Sequence, residues 1–282
     1  MIKTILLATD GSPHSWSAWH YAADLAQAYQ AVLKALSIVD VRMVESQWFW
    51  NIGETDRSET SFGRIEGLTP EALQRALEER AEEILQEVQQ RCAERGLRCK
   101  TEIARGVPSQ VICLEESTAD LLVMGHRGVS GRFQSILGST AEAVIRCNNK
   151  PTLISSHDYR PLERVLMAHD GSDHADRALQ IAADLCATLR KPLSVLSVHR
   201  NVEMGNAIVR EAMEYLEPYE LDAQALVRHG HPADQILAVV AEDDCRLIVM
   251  GAYGHTRIRE TLIGSTTEEV LRKTTVPMLV VK

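Results

Sequence analysis

Val123-Met124-Gly125-His126-Arg127-Gly128, followed after nine residues by Gly138-Ser139-Thr140, returns as Val249-Met250-Gly251-Ala252-Tyr253-Gly254, followed after nine residues by Gly264-Ser265-Thr266. The offset is 126 residues at every glycine. Upstream, Leu7-Ala8-Thr9-Asp10-Gly11-Ser12 returns as Met167-Ala168-His169-Asp170-Gly171-Ser172. Two copies that keep one glycine spacing mark an internal repeat, and a repeat has to be settled before any fold is assigned. Around these anchors each half alternates short apolar strands with helices, the pattern of an open, mostly parallel α/β sheet.

The local signals are specific. Ser12 caps a helix with Pro13 at its first position, and Thr69 and Gly96 bracket a long helix from Pro70. In the second half a helix is expected over Ala207–Leu216, and the closing helices of the two halves are expected to start at Thr140 and Thr266. The sequence divides into a first unit over 1–157 and a second over 161–282, joined by the short polar linker His157–Pro161. Asp10 to Gly125 spans 115 positions but Asp170 to Gly251 only 81, so the first half carries an insert at about 43–68. That insert holds Trp48-Phe49-Trp50 and a polar stretch, Asn51–Gly67, read as a surface loop. The tryptophans read first as a satellite core under the loop and second as a lid over a ligand. Trp19 falls on the apolar stripe of the first helix and is assigned to the core, with Trp16 more exposed.

Composition narrows the class. The chain has 282 residues, 45% apolar and 24% charged, with a net charge of −9. That balance is globular and argues against nucleic-acid or anionic-membrane binding. No apolar run is long enough to span a bilayer, no leader pattern is present, and a cytoplasmic location is expected. The cysteines (Cys92, Cys99, Cys113, Cys147, Cys186 and Cys245) show no C-x-x-C or zinc spacing and are read mostly as buried thiols. His14, His169, His174, His229 and His231 are read as solvated surface histidines.

In open parallel sheets ligands settle beyond the carboxyl ends of the strands, where the order reverses. Asp10 and Gly125 each follow a strand, and adjacent strands would place acid and glycine loop on one crevice. Gly125 and Gly128 open the loop to a phosphate, and Gly138-Ser139-Thr140 starts a helix whose free N–H groups and dipole favour an anion. Arg127, Arg132, Arg257 and Arg259 add positive charge. Two bland readings stand beside this. Ser139 with Glu142, and Ser265 with Glu268, spell capping boxes, and Asp10 and Asp170 serve equally as turn residues. P-loop, dinucleotide and hydrolase-elbow signatures are absent from the sequence.

At this point the chain resembles the universal stress protein family. The resemblance rests on Gly125-x2-Gly128-x9-Gly138-Ser139, its copy Gly251-x2-Gly254-x9-Gly264-Ser265, the acids Asp10 and Asp170, and the closing strands from Pro151 and Pro277. It implies two tandem Rossmann-like domains with strand order 3-2-1-4-5, paired through their fifth strands as an internal pseudo-dimer. It implies ATP as ligand, with AMP, ADP and Mg as variants. Asp10 and Asp170 would lie on the adenine–ribose side, the backbone of Ile38 and Val198 at the adenine edge, and Arg127, Ser139, Thr140, Ser265, Thr266 and the loop glycines on ribose and phosphates. The function implied is a nucleotide-dependent stress or signalling regulator. The alternatives are a slow ATPase or adenylyl- or phosphoryl-transfer enzyme, and a non-nucleotide interaction module. A homodimer of tandem chains and an unknown protein partner are further expectations. Asp40 becomes Arg200 and Thr9 becomes His169 in the second half, so the two pockets are expected to differ in preference while both remain competent.

Overall fold

A computed structural model describes residues 2–45, 69–128, 137–253 and 263–282. In chain order the first half builds β1 (Thr4–Ala8), α1 (Pro13–Tyr29), β2 (Val32–Asp40), α2 (Val41–Glu45), α3 (Pro70–Glu94), β3 (Cys99–Gly106), α4 (Pro108–Glu115), β4 (Leu121–Gly125), α5 (Ser139–Cys147) and β5 (Thr152–Ser155). The second half builds β6 (Val165–Ala168), α6 (Asp173–Leu189), β7 (Leu193–Val198), α7 (Val202–Leu216), β8 (Ala223–Arg228), α8 (Pro232–Glu242), β9 (Leu247–Gly251), α9 (Ser265–Lys273) and β10 (Met278–Val281).

The strands form one ten-stranded sheet in the order β3-β2-β1-β4-β5-β10-β9-β6-β7-β8. Each half contributes the expected 3-2-1-4-5 order, and the second runs in reverse beyond the seam. Every pairing within a half is parallel. The seam alone is antiparallel, with Met278 opposite Ile154 and Val280 opposite Thr152. All four residues of β5 and of β10 are buried, so each covers what would be an open sheet edge in the other.

Strand periodicity explains the two-sided core. Side chains alternate across a strand: Ile5 and Leu7 enter one cluster with helices α1, α3, α6 and α7, while Leu6 and Ala8 enter the other with α4, α5, α8 and α9. Both clusters run through both halves. Trp19 is 3% exposed and belongs to the first cluster, with Trp16 half-buried at its margin.

The caps fall where the sequence predicts. Ser12 Oγ accepts from Ser15 N at 3.2 Å, and Thr69 Oγ1 from Ala72 N at 3.3 Å. Gly96 takes φ +66° just past α3. The closing helices start one residue early, at Ser139 and Ser265, and α7 begins at Val202 rather than Ala207, because Asn201 Oδ1 accepts from both Glu203 N and Met204 N. Gly205 sits inside that helix. A Cβ there would lie 2.8 Å from Val227. The segment at 157–161 is docked, not free: Tyr159 stacks on His20 at 4.8 Å and Arg160 N donates to the Tyr21 hydroxyl. Trp48-Phe49-Trp50 and the polar stretch after it lie outside the described residues. Among the described residues no helix is long and apolar enough to cross a membrane.

Candidate functional site

Because β1 and β4 are neighbours in register, with Ala8 opposite Met124, the turn after β1 and the glycine loop after β4 meet at one end of the sheet. The meeting is tight. A Cβ on Gly128 would lie 2.6 Å from Asp10 Oδ2. The other oxygen, Oδ1, accepts from Ser12 N at 3.0 Å, and Asp170 repeats that bond to Ser172 N at 3.0 Å. Gly11 and Gly171 turn the chain there at φ +73° and +81°, a conformation that costs other residues a Cβ clash. Each aspartate therefore braces a turn with one oxygen, and Asp10 sets the other against the glycine loop.

The glycines divide by role. A Cβ at Gly125 would meet the backbone carbon of His14 at 3.0 Å, and one at Gly251 that of His174 at 3.0 Å. These two glycines let the first helix of each half start directly against a strand end, so the room attributed to phosphate is filled by the protein. Gly138 N donates to His126 O at 3.0 Å and Gly264 N to Ala252 O at 2.8 Å, pinching the base of each loop in the same way. Gly254, Arg132, Arg257 and Arg259 lie outside the described residues.

The capping-box expectation is corrected. Gly138 and Gly264 are the N-cap residues, neither with a side-chain cap bond, and Ser139 and Ser265 are the first residues of α5 and α9. The extended backbone of Gly138 supplies the cap conformation, and Glu142 N bonds Gly138 O at 2.9 Å. The partner carboxylates of the boxes go elsewhere, Glu142 to Arg146 and Glu268 to Arg272. Ser139 and Ser265 are both exposed, and Thr140 and Thr266 both half-buried. The first turn of each helix thus presents hydroxyls at the positive end of its dipole. Ile38 and Val198 stand half-buried at the carboxyl ends of β2 and β7. Arg127 is 9% exposed and runs into the protein beside the loop.

Around this shared frame the halves differ. Gly11 N approaches Thr9 Oγ1 at 3.5 Å, whereas Gly171 N donates to His169 Nδ1 at 3.1 Å. His169 is 5% exposed, which corrects its reading as a surface residue, and its Nε2 lies 3.2 Å from Asp176 Oδ1. Burial lowers its pKa, with Asp176 and Asp170 pulling it back up. Asp40 is held by Arg42 at 2.6 Å, while in the second half His199 Nδ1 accepts from Asn201 N at 3.0 Å.

His14 and His174 were missed as a pair. They occupy equivalent places on α1 and α6, are half-buried, and have pKa values lowered chiefly by burial. The signal was present, because Asp-Gly-Ser-x-His recurs as Asp170-Gly-Ser-x-His. His14 O accepts from Ser155 Oγ at 3.0 Å, and its ring meets His157 edge-on at 4.8 Å. His126 Nε2 lies 3.0 Å from Leu271 O, tying the first glycine loop to the other half. Among the described residues His231, Asp234 and Glu269 cluster as metal ligands could, but Lys273 Nζ sits 2.7 Å from Glu269 and 3.5 Å from Asp234.

The universal stress protein family pattern matches residues 1–47, 55–156 and 161–282. The chain belongs to the universal stress protein family. It is similar over its whole length to the universal stress protein Slr1230 of Synechocystis, 30% identical over 287 residues that cover 99% of both chains. It is similar over 55% of its length to the universal stress protein MJ0531 of Methanocaldococcus jannaschii, at 30% identity and 82% of that protein. The crystal structure of a universal stress protein from Archaeoglobus fulgidus superposes with a TM-score of 0.75 at 24% identity, covering 99% of this chain and 98% of that one. The double α/β architecture of this universal stress protein is thus that of a solved relative.

Proposed function

We propose that each half binds an adenine nucleotide, ATP, at the carboxyl ends of its first and fourth strands, and that occupancy governs a regulatory response. The observation that carries this is the doubled helix start. Gly138-Ser139-Thr140 and Gly264-Ser265-Thr266 each open a helix with an exposed serine and no side-chain cap. In the first half that start sits beside Gly128, which abuts Asp10. A helix N-terminus of this kind suits a phosphate through free N–H groups and the helix dipole. Asp10 and Asp170, already fixed by their turns, face the ribose side, and the backbone of Ile38 and Val198 meets the adenine edge.

Calorimetric titration of the whole chain with ATP, ADP and AMP tests this, alongside a Ser139→Asp/Ser265→Asp variant. The new carboxylates sit at exposed first-turn positions that favour the helix but repel phosphate, so folding is kept and affinity falls at least about tenfold, roughly 1.4 kcal/mol. No binding by the parent, or equal binding by the variant, overturns the proposal.

A further inference from the structure

The cysteines divide unevenly between the halves. Cys113 on α4 and Cys147 at the end of α5 form a disulfide, with Cα atoms 6.3 Å apart and a sequence separation of 34. These two stand apart from the buried thiols expected of most of the cysteines, since Cys147 is exposed and Cys113 half-buried. The other four are free, three of them buried. Cys92 and Cys99 are among the free thiols. The bridge, through Cys147, lies where small molecules can reach it. The second half has no counterpart, because Leu237 and Lys273 occupy the corresponding places.

We infer that Cys113–Cys147 is a reversible redox site, open to low-molecular-weight thiols and disulfides, that sets how firmly α5 is held. A thiolate RS⁻ attacks the Sγ of Cys147, the more exposed residue of the pair, forming a mixed disulfide there and releasing Cys113 thiolate, which takes a proton from water. A second RS⁻ attacks the mixed disulfide at the RS sulfur, giving RSSR and Cys147 thiolate, which is protonated in turn. Two electrons pass from two RSH to the protein, and RSSR as oxidant reverses both steps. Both sulfurs lie near the carboxyl ends of their helices, where the dipole disfavours a thiolate, so neither is an activated nucleophile or a good leaving group. That chemistry fits a switch thrown by an external couple, not a catalyst of exchange. The mechanical consequence follows from position. Cys147 ends the nine-residue helix that begins with Ser139, so opening the bridge frees α5 from α4 at one end and loosens Gly138-Ser139-Thr140 at the other. Its effect on ligand rests on the nucleotide reading, but the bridge and the helix do not.

The test equilibrates the folded chain in mixtures of a small reduced thiol and its disulfide, then alkylates without denaturant and maps the labelled peptides. Cys113 and Cys147 are expected to be labelled together in reducing mixtures and protected again in oxidising ones. Hydrogen exchange over residues 139–147 rises several-fold on reduction, while residues 265–273 stay unchanged. Cys113→Ser/Cys147→Ser exchanges fast throughout and Cys92→Ser behaves as the parent, which places the effect at this pair. Labelling of the pair in the most oxidising mixture overturns the inference, as does a bridge that survives every reducing mixture in the folded chain, or exchange in α5 that ignores the redox state. ATP titration of a Ser265→Asp chain in each redox form reads the cradle: an affinity change is expected, and equal affinity removes the coupling. No ATP binding in either form counts against the nucleotide reading alone, since labelling and exchange stand without it.

Discussion

The two halves clamp the same pair of helices by different means. In the first, α4 and α5 are joined covalently by Cys113–Cys147. In the second, Lys273, standing where Cys147 stands, reaches Asp234 on α8 and Glu269 on its own helix. The turn after the first strand tells a similar story. Thr9 bonds Ser15 Oγ at 3.1 Å in one half, and the larger His169 reaches Asp176 in the other. Among the positions that stay identical are those where backbone geometry leaves no choice: Gly11 and Gly171 at positive φ, Gly125 and Gly251 against a helix start, Gly138 and Gly264 as caps. The comparison teaches that sterics and the shared Asp10 and Asp170 turn bonds fix the cleft frame, while the helix clamps and the residues at Thr9 and His169 are interchangeable.

Breaking the covalent clamp is the largest expected effect. Closing a loop of 34 residues is worth about 3–4 kcal/mol in the chain-entropy account. Urea unfolding with and without reductant should show that loss, and Cys113→Ser/Cys147→Ser should abolish the difference. A reductant-insensitive midpoint in the parent rejects it. Next, Ser139→Asp and Ser265→Asp taken singly should each remove one of two calorimetric sites, with at least about a tenfold weakening at the altered one. Loss of both sites from one substitution would show that the halves are coupled.

Exchanging the turn residues sharpens the comparison further. Thr9→His forces a ring into a buried site already filled by Ser15, and should cost about 1–3 kcal/mol. His169→Thr should cost less at pH 7 and also flatten the acid dependence. The sign follows from burial: the folded His169 resists protonation, while the unfolded chain takes up its proton near the ordinary histidine value of 6.5. Stability is therefore full above that pH and is lost as the pH falls below it toward the lower folded value. Urea midpoints between pH 7 and pH 5 check this, and an unchanged slope in His169→Thr excludes His169 as a contributor. The smallest effect concerns Arg91, whose guanidinium lies 4.5 Å over Trp16, a position occupied in the second half by Asp176. Arg91→Ala should cost about 0.5–1 kcal/mol and shift the tryptophan emission. No change in either measurement removes that contact from the account.

Much of the frame was legible because its signals are local or periodic. The alternation in Ile5-Leu6-Leu7 assigns the two faces of a strand, Ser12-Pro13 and Thr69-Pro70 start helices through hydrogen bonds within a turn, and the doubled glycine spacing marks the loops. The misreadings arose where a distant neighbour decided the outcome. His169 is polar and follows a strand, so it reads as exposed, but the packing of α6 covers it. Ser139 with Glu142 spells a capping box, yet Glu142 is drawn to Arg146 and Gly138 already supplies the cap geometry. Helix α7 starts at Val202, ahead of Ala207, because Asn201 caps it, and Gly205 inside it leaves room for Val227.

By itself the sequence determined that there are two α/β repeats, where their glycine loops lie, and which family they belong to. Those properties rest on spacing and on hydrogen bonds between near neighbours. Tertiary structure alone decided that Gly125 and Gly251 serve helix approach, that Gly128 is bare because Asp10 is against it, and that Cys113 meets Cys147. Contacts of that kind join residues 34 to 118 positions apart. No local pattern encodes them, and they exist only once strand pairing has closed the intervening chain.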